Sequence, residues 1–274
     1  MADATPTTTR SADGVDRVRL FGLEFVDAPS LTPIVEQVLL GNVGDDRLPV
    51  LVTPNVDIMV QLEASPGSVE RRLFEAARFC LPDGQPLVLA SGLVGRRLRS
   101  RLTGSGLFID VWPRLVSEAM PVAVVASSSE VAERLRREHP KATFVVPPMF
   151  HADDAGAIEE IVDHLLADAV ATRPELLLVG IGHPKDARII NSLLDRWPAR
   201  LGPPPLCLGL GGSFAMYLGL KKRAPDWVQR VGMEWFYRFV QEPRRLFHRY
   251  FVRDRAFVGV VWREWRRRRI APRA

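Results

Sequence analysis

The sequence predicts an α/β protein, a mainly parallel sheet flanked on both faces by helices. Two observations carry this. Short apolar runs alternate with amphipathic segments at one or two helices per strand, the pattern of βαβ units. Some runs are almost wholly apolar rather than alternating, as expected for strands covered on both faces; residues 50–53, bracketed by Pro49 and Pro54, are the clearest. In order, strands are predicted over residues 19–26, 50–53, 79–81, 122–126, 143–146, 175–180 and 205–209. Between them, helical periodicity marks residues 31–40, 56–63, 68–77, 107–120, 131–138, 157–167 and 186–197. No internal repeat or low-complexity tract precedes residue 219.

A chain of 274 residues with 47% hydrophobic content can bury one large core, alone or with an appendage. The first fifteen residues are polar, lack an apolar secretory core, and read as a disordered leader. No apolar run approaches the ~18 residues needed to span a bilayer. Cys80 and Cys207 lie far apart in apolar stretches without C-x-x-C spacing, which suits buried thiols of a reducing cytoplasm. Charge is divided unevenly. Residues 219–274 carry sixteen Lys and Arg against five Asp and Glu, a surplus of +11 in a chain of +5, so residues 1–218 are net −6. The division expected is therefore a leader (1–15), an α/β domain (16–218) and a basic, aromatic-rich appendage (219–274).

In an open parallel sheet, ligands bind beyond the carboxyl ends of the strands. Four segments at predicted strand ends are loaded with turn and polar residues: Thr53-Pro54-Asn55, Pro82-Asp83-Gly84, Gly180-Ile181-Gly182-His183-Pro184-Lys185 and Gly209-Leu210-Gly211-Gly212-Ser213. The two glycine-rich ends resemble turns whose backbone N–H groups cradle phosphate, although glycines used only for tight strand-to-helix turns would look alike. Asp83 follows an apolar strand directly, so its turn projects a carboxylate into the crevice; Pro-Asp-Gly is equally a favoured turn sequence. Asp57 reads as a solvated or capping residue. The five histidines share no metal-ligand spacing and no Asp-x-Asp motif occurs, so neither a metal site nor a cofactor is expected. The absence of a G-x-S-x-G elbow argues against a serine hydrolase.

The order of short motifs resembles one family. Thr53-Pro54-Asn55 with Asp57, Leu81-Pro82-Asp83-Gly84-x-Pro86-Leu87, Gly104-Ser105-x-Leu107-Phe108, Gly182-x-Pro184-Lys185 and Gly209-x-Gly211-Gly212-x-Phe214 look like the WecG/TagA/CpsF glycosyltransferases. The likeness continues through Lys222-Arg223-Ala224-Pro225-x-Trp227, Gly232-x-Glu234-Trp235, Tyr237-Arg238 and Gln241-Glu242-Pro243-x-Arg245. The resemblance implies a Rossmann-like catalytic domain and a metal-free inverting transfer. A sugar of the N-acetylmannosamine type would pass from UDP to a sugar on a polyprenyl diphosphate, for bacterial surface polysaccharide. It further implies Asp83 as general base, with Thr53 and Asn55 lining the same pocket. Gly180, Gly182, Lys185, Gly209, Gly211 and Gly212 would hold the uridine diphosphate. The appendage would bring Arg223, Arg230 or Arg238 to the diphosphate. The chain departs from the family pattern in three places. Asp186-Ala187 stands where the family has Gln-Glu, making Asp186 a changed substrate-pocket residue; Ala126-Ser127 replaces a glycine pair; and Pro147-Pro148-Met149-Phe150 replaces His-Gly-Tyr-Phe.

The appendage itself admits three readings: aromatics packed on the body as core, a peripheral anionic-membrane contact, or a nucleic-acid grip. A lipid-borne acceptor selects the membrane, on the cytoplasmic face, with no nucleic-acid partner. Self-association through exposed apolar surface is a further outcome. The rival to an enzyme is a non-catalytic family member that holds a lipid-linked sugar or nucleotide. Retention of Asp83 with Thr53 and Asn55 argues against it.

Overall fold

The computed structural model describes residues 9–10, 14–42, 46–221 and 255–270. Its centre is a six-stranded, all-parallel sheet of β4 (Leu48–Val52), β5 (Ala77–Cys80), β6 (Val122–Val125), β7 (Thr143–Val145), β8 (Leu176–Val179) and β9 (Leu206–Gly209), in the order β5-β4-β9-β8-β6-β7. β6, β8 and β9 are buried at every residue, which is why they read as unbroken apolar runs, whereas β5, equally buried, carries Arg78 and reads so only from Phe79 on. The Rossmann-like α/β architecture expected from the sequence is the one observed.

Helices cover both faces. Against one pack α2 (Val56–Ala64), α3 (Val69–Ala76), α4 (Gln85–Leu93), α7 (Ala155–Thr172) and α8 (Lys185–Arg196). Against the other pack α1 (Thr32–Leu39), α5 (Gly104–Ser117), α6 (Ser129–Glu138) and the short α9 (Ser213–Tyr217). β8 and β6 are neighbours, yet the helices that follow them, α8 and α6, leave on opposite faces. Local signals start many of the helices. The side chains of Asn55, Ser68, Thr103, Ser128 and Asp154 each accept a hydrogen bond from a first-turn N–H of α2, α3, α5, α6 and α7.

The N-terminal region differs from expectation. Residues 19–26, read as one strand, fold back at Phe21 and Gly22, both at positive φ (51° and 77°), into a hairpin of β2 (Asp16–Leu20) and β3 (Leu23–Val26). β1 (Thr9–Arg10) pairs with β2 inside the stretch read as a disordered leader. The hairpin covers the sheet edge: Arg17, almost fully buried, donates to the Arg78 carbonyl of β5 at 3.1 Å and lies over the Phe79 ring.

Of the appendage, α10 (Ala256–Ile270) is described, packed against α2 and α4. Phe257 and Val260 enter the core, with the Phe257 ring 5.7 Å from that of Phe21. Arg263 pairs with Glu63 of α2, and Arg268 donates to the Arg19 carbonyl at 2.6 Å. One side of this helix thus follows the core-packing reading. No helix among the described residues is long and apolar enough to cross a membrane.

Gly180 ends β8 where the ring of Phe214 lies directly over its α-carbon, and a Cβ there would overlap the ring. Gly180→Ala is expected to destabilise the fold by about 1–3 kcal/mol through overpacking, and pairing it with Phe214→Leu should recover part of the loss. Denaturant unfolding of the two variants checks this; an unchanged midpoint for Gly180→Ala would rule out the packing role.

Candidate active site

The carboxyl ends of β5, β4 and β9 bring together residues distant in sequence. After β5 the chain turns at Pro82-Asp83-Gly84, where the Asp83 N–H donates to the Pro54 carbonyl at 3.1 Å and ties this turn to the one following β4. Gly84 adopts φ 156° and starts α4 without a side-chain cap. The Asp83 carboxylate accepts a hydrogen bond from the Gly104 N–H, 3.2 Å away, at the first residue of α5. The positive end of that helix therefore faces the carboxylate. Gly104 is also where Thr53 and Ser213 converge: a Cβ there would lie 3.2 Å from Thr53 Cγ2 and 3.4 Å from Ser213 Oγ. A Cβ would crowd Thr53 here, so glycine suits this close approach.

Thr53 leaves β4 and donates to the Gly209 carbonyl of β9 at 3.2 Å. Asn55 uses its side-chain oxygen to cap α2, accepting from Ile58 N–H at 3.1 Å, and its Cβ lies beside Gly84. Asp83, Thr53 and Asn55 are thus assembled at one edge, as their positions in the sequence suggested.

Behind Thr53 lies a small cavity whose walls include Phe74, His183, Asp186, Ile190 and Gly209. Its two ionisable groups have displaced titrations. Complete burial pushes the Asp186 carboxyl up to about 6, against the hydrogen bond it accepts from the Ala187 N–H at 2.7 Å. Burial pushes His183 down to about 4, opposed by the nearby charges of Glu70 and Asp57, so the imidazole is neutral at physiological pH. Its Nδ1 is 3.9 Å from Asp186 Oδ1, too far for a hydrogen bond, and has no partner of its own. Beyond the histidine, burial is the largest influence on the Glu70 carboxyl and raises it, but the hydrogen bond and charge of Arg188 together with local hydrogen bonds from a backbone N–H and Ser68 make the net direction downward.

The glycine-rich ends divide by role. Gly180 accommodates Phe214, so packing alone requires a glycine there. Gly182 (φ 92°) and Gly211 (φ 52°) take backbone conformations that favour glycine, and a Cβ on Gly211 would lie 3.9 Å from the Gly182 α-carbon, so the two turns abut. Gly209 is covered by Asp186, whose carboxylate would meet a Cβ there at 3.5 Å. Lys185 begins α8 and lays its ammonium 4.4 Å from the centre of the Phe150 ring. Lys221, which the sequence reading did not single out, has its ammonium near Gly212, 3.9 Å from where a Cβ would sit. Arg223, Arg230 and Arg238 lie outside the described residues, as do the appendage motifs from Lys222 to Arg245. Among the described residues no group of three or more His, Cys, Asp or Glu side chains is placed to hold a metal ion.

Comparison with known proteins bears on this edge. A sequence profile described as the glycosyl transferase WecG/TagA/CpsF family matches residues 18–271. A Bacillus spizizenii protein named N-acetylglucosaminyldiphosphoundecaprenol N-acetyl-beta-D-mannosaminyltransferase is 28% identical over 227 residues, 81% of this chain and 82% of the relative. A Bacillus subtilis protein of the same name is 28% identical over 180 residues, 63% of this chain and 64% of the relative.

The Asp186 carboxyl supplies a pH-dependent test of the cavity. A carboxyl raised from 3.8 to about 6 by folding contributes stability that is fully present below pH 3.8 and is lost as pH rises through 6. At pH 7 its ionisation costs roughly 3 kcal/mol relative to an exposed aspartate. Asp186→Asn should therefore gain stability over the parent between pH 4 and pH 7. Thermal unfolding of both proteins across that range measures it; a difference that does not vary with pH would contradict the burial assigned to this carboxyl.

Proposed function

Since the chain belongs to the WecG/TagA/CpsF family of glycosyl transferases, we propose that it moves a sugar of the N-acetylmannosamine type from a UDP-sugar to a sugar carried on a polyprenyl diphosphate, with inversion at the anomeric carbon. The observation that carries the reading is the Asp83 carboxylate fixed at the sheet edge by the Gly104 N–H, beside Thr53. The names of both relatives describe an acceptor of this kind and the transfer of N-acetylmannosamine.

In the proposed step, an acceptor hydroxyl attacks the anomeric carbon while the bond to the UDP oxygen breaks on the opposite side. Asp83 takes the hydroxyl proton, and UDP leaves with the bonding pair. One carboxylate suffices, because direct displacement forms no covalent glycosyl intermediate. The Gly104 N–H orients the base. Thr53 and Asn55 line the acceptor side, and Asp186, with His183, backs the pocket that receives the transferred sugar. Gly182, Gly211 and Gly212 suit the approach of a diphosphate to the backbone, with Lys221 and the appendage arginines Arg223, Arg230 and Arg238 neutralising the charge that builds on UDP. The outward arginines of α10, Arg266, Arg267 and Arg269, would hold the protein to the inner face of the cell membrane, each adding ~1 kcal/mol near an anionic surface.

Asp83→Asn should keep the fold and lower turnover by ~10²- to 10⁴-fold, the loss of a general base. Acceptor-dependent UDP release from a panel of UDP-sugars, parent against variant, measures it. Activity within a few-fold of the parent would place the base elsewhere.

A further inference from the structure

α4 carries no residue used in the proposed reaction. Its inner side, with Leu87 and Val88, is buried, while Pro86, Leu89 and Leu93 face outward, the two leucines 62% and 73% exposed. No residue of α4 is charged. Two arginines, the exposed Arg97 and the half-buried Arg96, follow its last turn. The neighbouring α10, packed against α4 and α2, presents a second outward face of kindred chemistry. There Trp262 is 53% exposed with the Arg266 guanidinium 4.6 Å over its ring, and Trp265 carries Arg269 at 4.1 Å. The one acid of α10, Glu264, is buried and paired with Arg268, so nothing negative opposes these arginines on their own helix.

We propose that the outward face of α4, continued by that of α10, inserts into the headgroup layer of an anionic bilayer and so delivers the mouth of the Asp83 cleft to its lipid-borne acceptor. Leucines set between arginines and indole rings match the two layers of such a surface, apolar beneath and anionic above. A soluble partner protein would supply the apolar part but gives no reason for the arginines that follow α4 and line the outward face of α10. The position in the chain supplies the function. α4 begins two residues after Asp83, so Leu89 and Leu93 lie on the order of 10–15 Å from the carboxylate along the helix. The membrane contact and the general base are thus two ends of one rigid element. This rests on the reading of a lipid-linked acceptor given above.

The test uses the full chain with vesicles of phosphatidylglycerol and phosphatidylcholine, comparing the parent with Leu89→Ser/Leu93→Ser. Flotation reads membrane binding, and transfer is assayed with both a long-chain acceptor in vesicles and a short-chain, water-soluble one. The double variant should bind vesicles at least about tenfold more weakly and lose long-chain transfer in proportion, while short-chain transfer stays within about twofold of the parent. Unchanged flotation would overturn the proposal, as would a parent that does not float. A parent dimer in vesicle-free buffer that the variant converts to monomer, with flotation intact, would assign the face to self-association instead. If the parent floats and the variant does not, but neither transfers sugar to any acceptor, the docking face stands and the reaction assigned to Asp83 falls.

Discussion

The sheet is buried on both faces, and that single constraint organises the molecule. β6, β8 and β9 are apolar at every residue, and the one charged side chain of β5, Arg78, is held by a hydrogen bond to Gln37, so a polar side chain along these strands needs a partner to offset its desolvation. Polar chemistry is driven to the strand ends. There the chain must turn into helices on either face, and it does so with Thr53-Pro54-Asn55, Pro82-Asp83-Gly84 and the glycine-rich ends of β8 and β9. The parallel arrangement makes all these turns meet at one edge, which is how residues 53, 83, 104, 186 and 209 become neighbours.

What the edge can do follows from how its carboxyls are held. Asp83 sits at the start of α5 with a backbone N–H aimed at it, which fixes the carboxylate in place. Asp186 is sealed in, next to an imidazole kept neutral by burial, and takes a first-turn N–H of α8 for itself. The two carboxyls therefore have different tasks. In the proposed reaction Asp83 faces the chemistry, while Asp186 shapes the wall behind Thr53. Because Asp186 already satisfies that N–H at the start of α8, the diphosphate of the proposed donor would be better matched to the abutting Gly182 and Gly211 turns and to Lys221 than to the helix end alone.

Much of this was legible in the sequence, and the reasons for the misses are physical. The central strands announced themselves because burial on both faces removes any polar alternation, and Asn55, Ser68 and Ser128 are ordinary helix-starting residues. α4 went unread because its outward side is as apolar as its inward side, so Gln-Pro-Leu-Val-Leu-Ala-Ser-Gly-Leu has no amphipathic period. The hairpin at Phe21-Gly22 lacks the Asn-Gly or Asp-Gly signature, and α5 starts earlier than its apolar period because Gly104-Ser105-Gly106 are poor helix formers capped by Thr103. That Gly180 also serves packing was not legible, because Phe214, which lies over it, is thirty-four residues on. His183 carried no signal either, since isolation in sequence says nothing of burial beside an aspartate.

Hydrogen exchange on the full chain, with and without saturating UDP, tests the site assignment most directly. The account predicts slowed exchange at the backbone amides of residues 180–185 and 209–213, where the two glycine-rich turns abut, with little change on the outer face of α10. Saturable UDP binding that leaves both turns unprotected, or protection confined to residues 255–270, would contradict it.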